Sequence, residues 1–299
     1  GWLAAVFAVV MTVVVCLLCR NIQTWMRTPE DIFDQAYIYI FIIFLGIPAT
    51  YLYNMLAGII RSLGDSTTPL VFLLISSVMN IILDLFTIIV LKMGVAGAAW
   101  ATVISQGVSG LLCLFYMKKK FTVLKMQGDE WRPHKHSMMM LCGMGIPMGL
   151  QYSITAIGSV ILQTAVNTLG SVAVASVTAG GKIGTFFCCP FDAMGATMAT
   201  YGGQNVGAKK LDRISRGLRD CVLLGAIYSV IAFVVIYFFS DVIALLFVDA
   251  SETEILHNTR TFLLENVSFY FPLALVNIVR FMIQGLGYSR LAILAGVCE

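Results

Sequence analysis

Charge is what this sequence lacks most. Only 12% of its 299 residues are Asp, Glu, Lys or Arg, against 59% apolar, whereas soluble domains carry about 25% charged residues. A chain so poor in charge cannot clothe a water-facing surface, which excludes an ordinary soluble globular domain. Histidine is nearly missing too: His134, His136 and His257 all fall in or beside loops. There is no HExxH, no GxSxG and no pair of intramembrane aspartates, so the metal and nucleophile patterns of an intramembrane hydrolase are absent. Short-period alternation is absent as well, which removes a transmembrane barrel. The eight cysteines are scattered through apolar runs. Cys16 and Cys19 make a CxxC inside a predicted membrane helix, and Cys188 and Cys189 are adjacent. They read as small inert hydrophobes rather than redox or metal groups.

What is present is length of apolar run. Nine spans follow one another, at about 2–19, 34–61, 68–91, 95–117, 138–168, 172–200, 220–247, 255–285 and 289 to the end. A bilayer needs roughly 20 apolar residues per helix, so several are long enough to tilt or protrude. Pro48, Pro147, Pro190 and Pro272 fall inside spans and predict kinks rather than stops. The expected class is all-α, a polytopic membrane protein. Orientation follows from the basic residues. Lys118, Lys119, Lys120, Lys125, Arg132 and Lys135 crowd the 118–137 loop, and Lys209, Lys210, Arg213, Arg216 and Arg219 crowd the 201–219 loop. Arg61, Arg280 and Arg290 end spans on the same side. The positive-inside rule makes that side cytoplasmic. The 203–219 stretch, with Leu211, Ile214 and Leu218 between its cations, predicts a short surface helix. His134 and His136, beside Trp131 and Arg132, read as part of a solvated basic linker at the lipid surface.

An internal repeat organises the spans. GIIRSLGDS (58–66) and FMIQGLGYS (281–289) share Ile, Leu-Gly and Ser at an offset of 223, and Asn54 pairs with Asn277 at the same offset. Upstream the offset falls near 220, which places three extra residues in the second copy's outer loop. Spans one to three thus match spans seven to nine. The reading expects an intact molecule of two parallel six-helix lobes, of which this chain holds nine spans, the last incomplete. Its domains are an N-terminal lobe (1–117), a linker (118–137) and a C-terminal lobe (138–299). Parallel repeats with a site between them are a transporter architecture.

One hairpin, MNIILDLFTIIVLKMGVAGAAWATVISQ (79–106), carries the candidate chemistry. Asp84 sits inside its first helix, and an ionisable group in an apolar span is a functional-site hypothesis by default. Reflection about Met93 sets Asp84 opposite Thr102 and Asn80 opposite Gln106, each roughly 10–20 Å from the turn. Asn80 and Asp84 share a face, because i and i+4 stack. An acid with polar neighbours at equal depth is a candidate cation or proton site.

This hairpin resembles the fifth and sixth helices of multidrug and toxic compound extrusion (MATE) transporters. GQNVGAKKLDRISRG (203–217), GIIRSLGDSTTP (58–69) and GIPMGLQYS (145–153) are similar to other segments of that family, and the likeness runs over essentially the whole chain as helices three to eleven of twelve. The resemblance implies a Na⁺- or H⁺-driven antiporter of drug-like compounds with a central cavity. It implies a cation site of Asp84, Asn80 and Thr102 with Tyr39 near their depth, and an acid on a first helix preceding this chain. The NorM-like branch places a carboxylate where this chain has Thr155, so the resemblance is to the DinF-like branch. Gln106, Gln151, Thr155, Gln163, Asn167, Lys182 and Glu265 are candidate substrate-cavity residues; for the amides the competing role is polar glue between helices. For Glu265 the competing role is that of an interfacial acid. Lys182 and Asp192 lie too far apart along one helix, about 15 Å, to pair. A lipid-linked saccharide flippase of the same superfamily is the alternative, and it would want more basic residues in the spans than Lys182. The expected setting is a bacterial inner membrane, as a monomer, with no cofactor beyond the coupling ion and no nucleic acid partner.

Overall fold

The computed structural model describes residues 2–25, 30, 32–121, 134–288 and 291. It divides into two compact units, Gly1–Lys135 and His136–Glu299. The first holds α1 (Trp2–Trp25), α2 (Phe33–Leu45), α3 (Ile47–Ser62), α4 (Thr67–Leu85) and α5 (Val95–Lys120). The second holds α6 (Lys135–Asn167), α7 (Ser171–Gly207), α8 (Leu211–Ala244), α9 (Thr253–Ser268) and α10 (Tyr270–Gly285). Six helices among the described residues are long and apolar enough to cross a bilayer. The count is up to eight if the bent pairs α2–α3 and α9–α10 each make one span. The chain is an all-helical polytopic membrane protein. The expected ninth span and the 122–133 part of the linker lie outside the described residues.

Each unit is inside-out relative to a soluble domain. Large side chains such as Leu17, Phe186 and Phe238 point outward, while α5 buries Gly97, Ala99, Ala101, Ser105, Ser109, Gly110 and Cys113. In lipid there is no hydrophobic drive between helices, so small residues that let backbones approach take the inner seam. α5 therefore packs against α2, α3 and α4 together, and α7 plays the same part for α8, α9 and α10. At the heart of the second unit Phe191 meets Tyr228 and Tyr270 edge-on, with ring centroids 5.2 and 5.6 Å away. α6 adds no residue to that buried cluster.

The repeat is written into the backbone. α2 and α3 meet at Gly46 with a 41° bend, and α9 and α10 meet at Phe269 with a 48° bend; these two positions stand 223 apart. α3 and α10 are both 16 residues long. Both end on a left-handed glycine, Gly64 (φ 93°) and Gly287 (φ 95°). In both, the next amide reaches back five residues, Asp65 N to Ile60 O at 3.2 Å and Tyr288 N to Ile283 O at 3.1 Å. This is the glycine-terminated helix end in which a residue without Cβ takes φ > 0 and the last carbonyls are satisfied. Pro48 and Pro272 sit in the first turn after each bend, where a missing N–H costs nothing.

Pro147 and Pro190 do not stop their helices: α6 and α7 run through them, as expected. One expectation changes. The 201–219 segment is not a loop with its own surface helix. α7 continues to Gly207, residues 208–210 turn, and α8 starts at Leu211. The reason is packing: Tyr201 donates its hydroxyl to Arg213 O at 3.0 Å, and its ring lies where a Cβ on Gly217 would fall. At 1.5 Å per residue α7 is about 55 Å long, well beyond the roughly 30 Å hydrocarbon core, and Lys209 and Lys210 follow directly after it.

Candidate functional site

α4 does not end as a plain α-helix. After Leu85 it widens into a π-turn over Phe86–Val90, closed by Leu91 N to Phe86 O at 3.0 Å. Lys92 (φ 52°) and Gly94 (φ 58°) then reverse the chain into α5. A π-turn packs more residues into less rise, so everything before it sits nearer the loop than in a regular helix. The hairpin register also departs from a simple reflection about Met93. Asn80 meets Thr102, Nδ2 to Oγ1 at 3.5 Å, and Ser76 donates to Ser105 O at 2.7 Å. The expected pairing of Asn80 with Gln106 and Asp84 with Thr102 is therefore shifted by one turn. Thr102 also donates to Ala98 O at 3.1 Å.

The site is short of hydrogen bonds. Asp84 Oδ1 and Gln106 Oε1 are buried and have no partner among the described residues, in a chain where buried polar atoms are ordinarily satisfied. Tyr39 is 37% exposed on α2. The structure thus brings Asn80 and Thr102 into contact, sets Asp84 one turn along the same face, and leaves a carboxylate oxygen facing no donor. Oxygens of Asp, Asn and Thr are the ligands a hard monovalent cation would use, and a proton would satisfy the same carboxylate.

The remaining candidates are distributed over the second unit. Gln163 donates to Asn167 Oδ1 at 3.0 Å along exposed α6, and Thr155 donates to Gln151 O at 3.2 Å. Lys182 is exposed, with its ammonium 6.0 Å above the Phe247 ring. Asp192 is exposed on the same helix, and no ion pair joins the two. Glu265 is exposed on α9.

Gln151 belongs to a cluster that the sequence reading missed. It is buried (2% exposed), and its amide meets that of Gln284 at 3.1 Å. With its oxygen turned toward the guanidinium it accepts from Arg280 Nε at 3.2 Å and Nη1 at 2.7 Å, while Arg280 Nη2 donates to Asn277. Arg280 is thus half-buried inside α10, five residues before its end, not at the span terminus. The signal was available: Asn277 and Gln284 stand at i−3 and i+4 from Arg280, on one helical face.

A second missed cluster clasps the first unit. The Asp65 carboxylate accepts from Tyr116 Oη at 2.6 Å, Thr68 N at 3.1 Å, Thr68 Oγ1 at 2.9 Å and Lys120 Nζ at 3.1 Å. The Tyr116 hydroxyl first, and the Thr68 amide after it, hold Asp65 well below the usual carboxylate range.

The MatE family model matches residues 1–86 and 147–299. The chain belongs to the MatE family. Among curated relatives of this MatE chain, the "Probable multidrug resistance protein YpnP" of Bacillus subtilis is 30% identical over 258 residues, 85% of this chain and 56% of that protein. YoeA of the same organism, also named a probable multidrug resistance protein, is 28% identical over 254 residues, 82% of this chain and 54% of that protein. The chain thus spans little more than half the length of these relatives. In fold it matches an outward-facing multidrug resistance MATE family transporter with a TM-score of 0.92 at 20% identity, over 99% of this chain and 66% of that one. It also matches a MATE in the bent conformation, with a TM-score of 0.90 at 21% identity, over 99% and 65% of the two chains.

Proposed function

We propose that this chain supplies the membrane core of a Na⁺- or H⁺-coupled exporter of amphipathic, often cationic, small organic compounds, working by alternating access. It is a transporter and not an enzyme, seated in a bacterial inner membrane with the 118–137 and 208–210 segments in the cytoplasm. Drug export is supported by the names of the relatives. Coupling is supported by one observation above all: the buried, donorless Asp84 carboxylate oxygen beside the Asn80–Thr102 contact.

In this mechanism a cation from outside occupies Asp84 and its neighbours, neutralises a charge that is expensive in hydrocarbon, and shifts the conformational equilibrium against the substrate-loaded state. Its inward passage supplies the work. One elementary charge crossing 100 mV is worth about 2.3 kcal/mol, enough for roughly 50-fold accumulation of a neutral substrate. The deciding experiment is Asp84→Asn in the intact transporter, with efflux of a fluorescent cationic dye measured under an imposed Na⁺ or H⁺ gradient. Gradient-driven efflux is lost while the protein stays in the membrane; unchanged efflux refutes the coupling role.

A further inference from the structure

The hairpin holds one more polar residue that no motif singles out. Thr87 lies inside the π-turn and is buried, 6% exposed. Its hydroxyl donates to Leu83 O at 2.8 Å and stands 3.3 Å from Asp84 O. Its one hydroxyl proton thus serves the carbonyls of the last α-helical turn before the π-turn, Leu83 O the nearer. Across the hairpin it is pressed on Gly97 of α5, where a Cβ would fall 2.8 Å from both Thr87 Cβ and Thr87 Oγ1. No side chain larger than hydrogen fits at 97 without moving Thr87.

Backbone carbonyls inside α-helices need no second donor, and a threonine that supplies one bends or loosens the helix. Helix widenings of this kind recur at functional sites. Here the widening starts two residues after Asp84, in the same helix that brings Asn80 to Thr102. The residue that pins it is thus two steps removed from any ligand: Thr87 acts on the backbone of Leu83 and Asp84, and Gly97 acts on Thr87.

We propose that Thr87, seated on Gly97, is a positioning residue of the cation site, holding the Asp84 backbone so that its carboxylate faces α5 at the level Asn80 and Thr102 require. This rests on the coupling role given to Asp84. Groups that orient ligands without touching the ion typically account for 10–100-fold in affinity.

The test uses the intact transporter and reads the cation concentration that half-activates dye efflux, separately from the maximal rate and from the amount of protein in the membrane. Thr87→Val keeps the shape and removes the hydroxyl; Thr87→Ala removes it without adding bulk; Thr87→Ser keeps it. Val and Ala each raise the half-activating concentration about 10-fold or more with the maximal rate retained at saturating cation, and Ser restores the wild-type value. Gly97→Ala moves it in the same direction. A half-activating concentration within twofold of wild type in both Val and Ala variants, where Asp84→Asn abolishes coupling, overturns the positioning role and leaves the Asp84 reading intact. Loss of both variants from the membrane marks Thr87 as structural and overturns it too. Intact coupling in Asp84→Asn removes both readings together.

Discussion

Gly285→Ala is the sharpest test of how the second unit is built. Gly285 closes α10 where it crosses α7, and a Cβ placed there would lie 2.2 Å from Ala199 O and 2.7 Å from Ala199 Cα. Both atoms are backbone, so no rotamer change relieves the clash. Ordinary contact begins near 3.4 Å, so the two helices must part by about 1 Å. That separation loosens Met282 against Gly202 and Gly285 O against Gly203, the neighbouring close approaches of the same seam. Overpacking of a fitted interface costs about 1–3 kcal/mol, against which alanine returns about 0.5–1 kcal/mol of helix propensity. A net loss near 1 kcal/mol lowers an unfolding midpoint by about 2–4 °C for a unit of this size. Gly181→Ala is the control, since it sits in the middle of α7 with nothing within 4 Å of its Cβ position. Thermal unfolding of the intact protein in detergent, followed by loss of the monodisperse chromatographic peak, reads both. Equal midpoints for Gly285→Ala and wild type would refute the argument that backbone approach at this crossing holds α7 and α10 together.

Three further outcomes are expected. Asp65→Asn lowers the unfolding midpoint at neutral pH. Its folded-state carboxyl is held below the ordinary value of 3.8, so the stabilisation is complete above about pH 4 and fades as pH falls; wild type and variant therefore converge in acid, checked by midpoints across a pH series. Gln151→Leu strips acceptor and donor from Arg280 and Gln284 inside the bilayer and costs about 1–3 kcal/mol, read by the same unfolding assay. Single cysteines replacing Lys92 and Lys209 report orientation: maleimide reaches the first in intact cells and the second only after permeabilisation.

Much of the architecture was legible because lipid imposes blunt rules. Apolar runs marked the eight described spans, most ends to within three residues, though α1 and α7 run six and seven residues further and α8 begins nine residues earlier; a shared Leu-Gly with an asparagine at one offset was enough to expose the repeat. What escaped was decided by packing between distant residues. FTIIV (86–90) has nothing in its composition to separate a π-turn from an α-turn, nor anything to show that Thr87 packs on Gly97 or that Asn80 meets Thr102 rather than Gln106. The crowding of cations at 209–219 reads as loop, yet Tyr201 on Gly217 lets two long helices run almost into one another. Asp65 and Tyr116 are 51 residues apart, and no local pattern links them. The acid and its helix were visible in the sequence; the level at which they meet their neighbours was not.

The two bent pairs also carry a record of tolerance. After the bend the copies agree residue for residue in length, 16 and 16, while before it they differ, 13 in α2 and 16 in α9. Side chains at the bend itself have diverged as far as Gly46 and Phe269, yet the angle and the glycine terminus survive. The stretch beyond the bend behaves like a machined part with a fixed gauge length, and the stretch before it like a shim that can be cut to fit. Protein engineers seeking places to lengthen or graft this scaffold would find them on the approach to Gly46 and Phe269, and should leave the sixteen residues that follow each untouched.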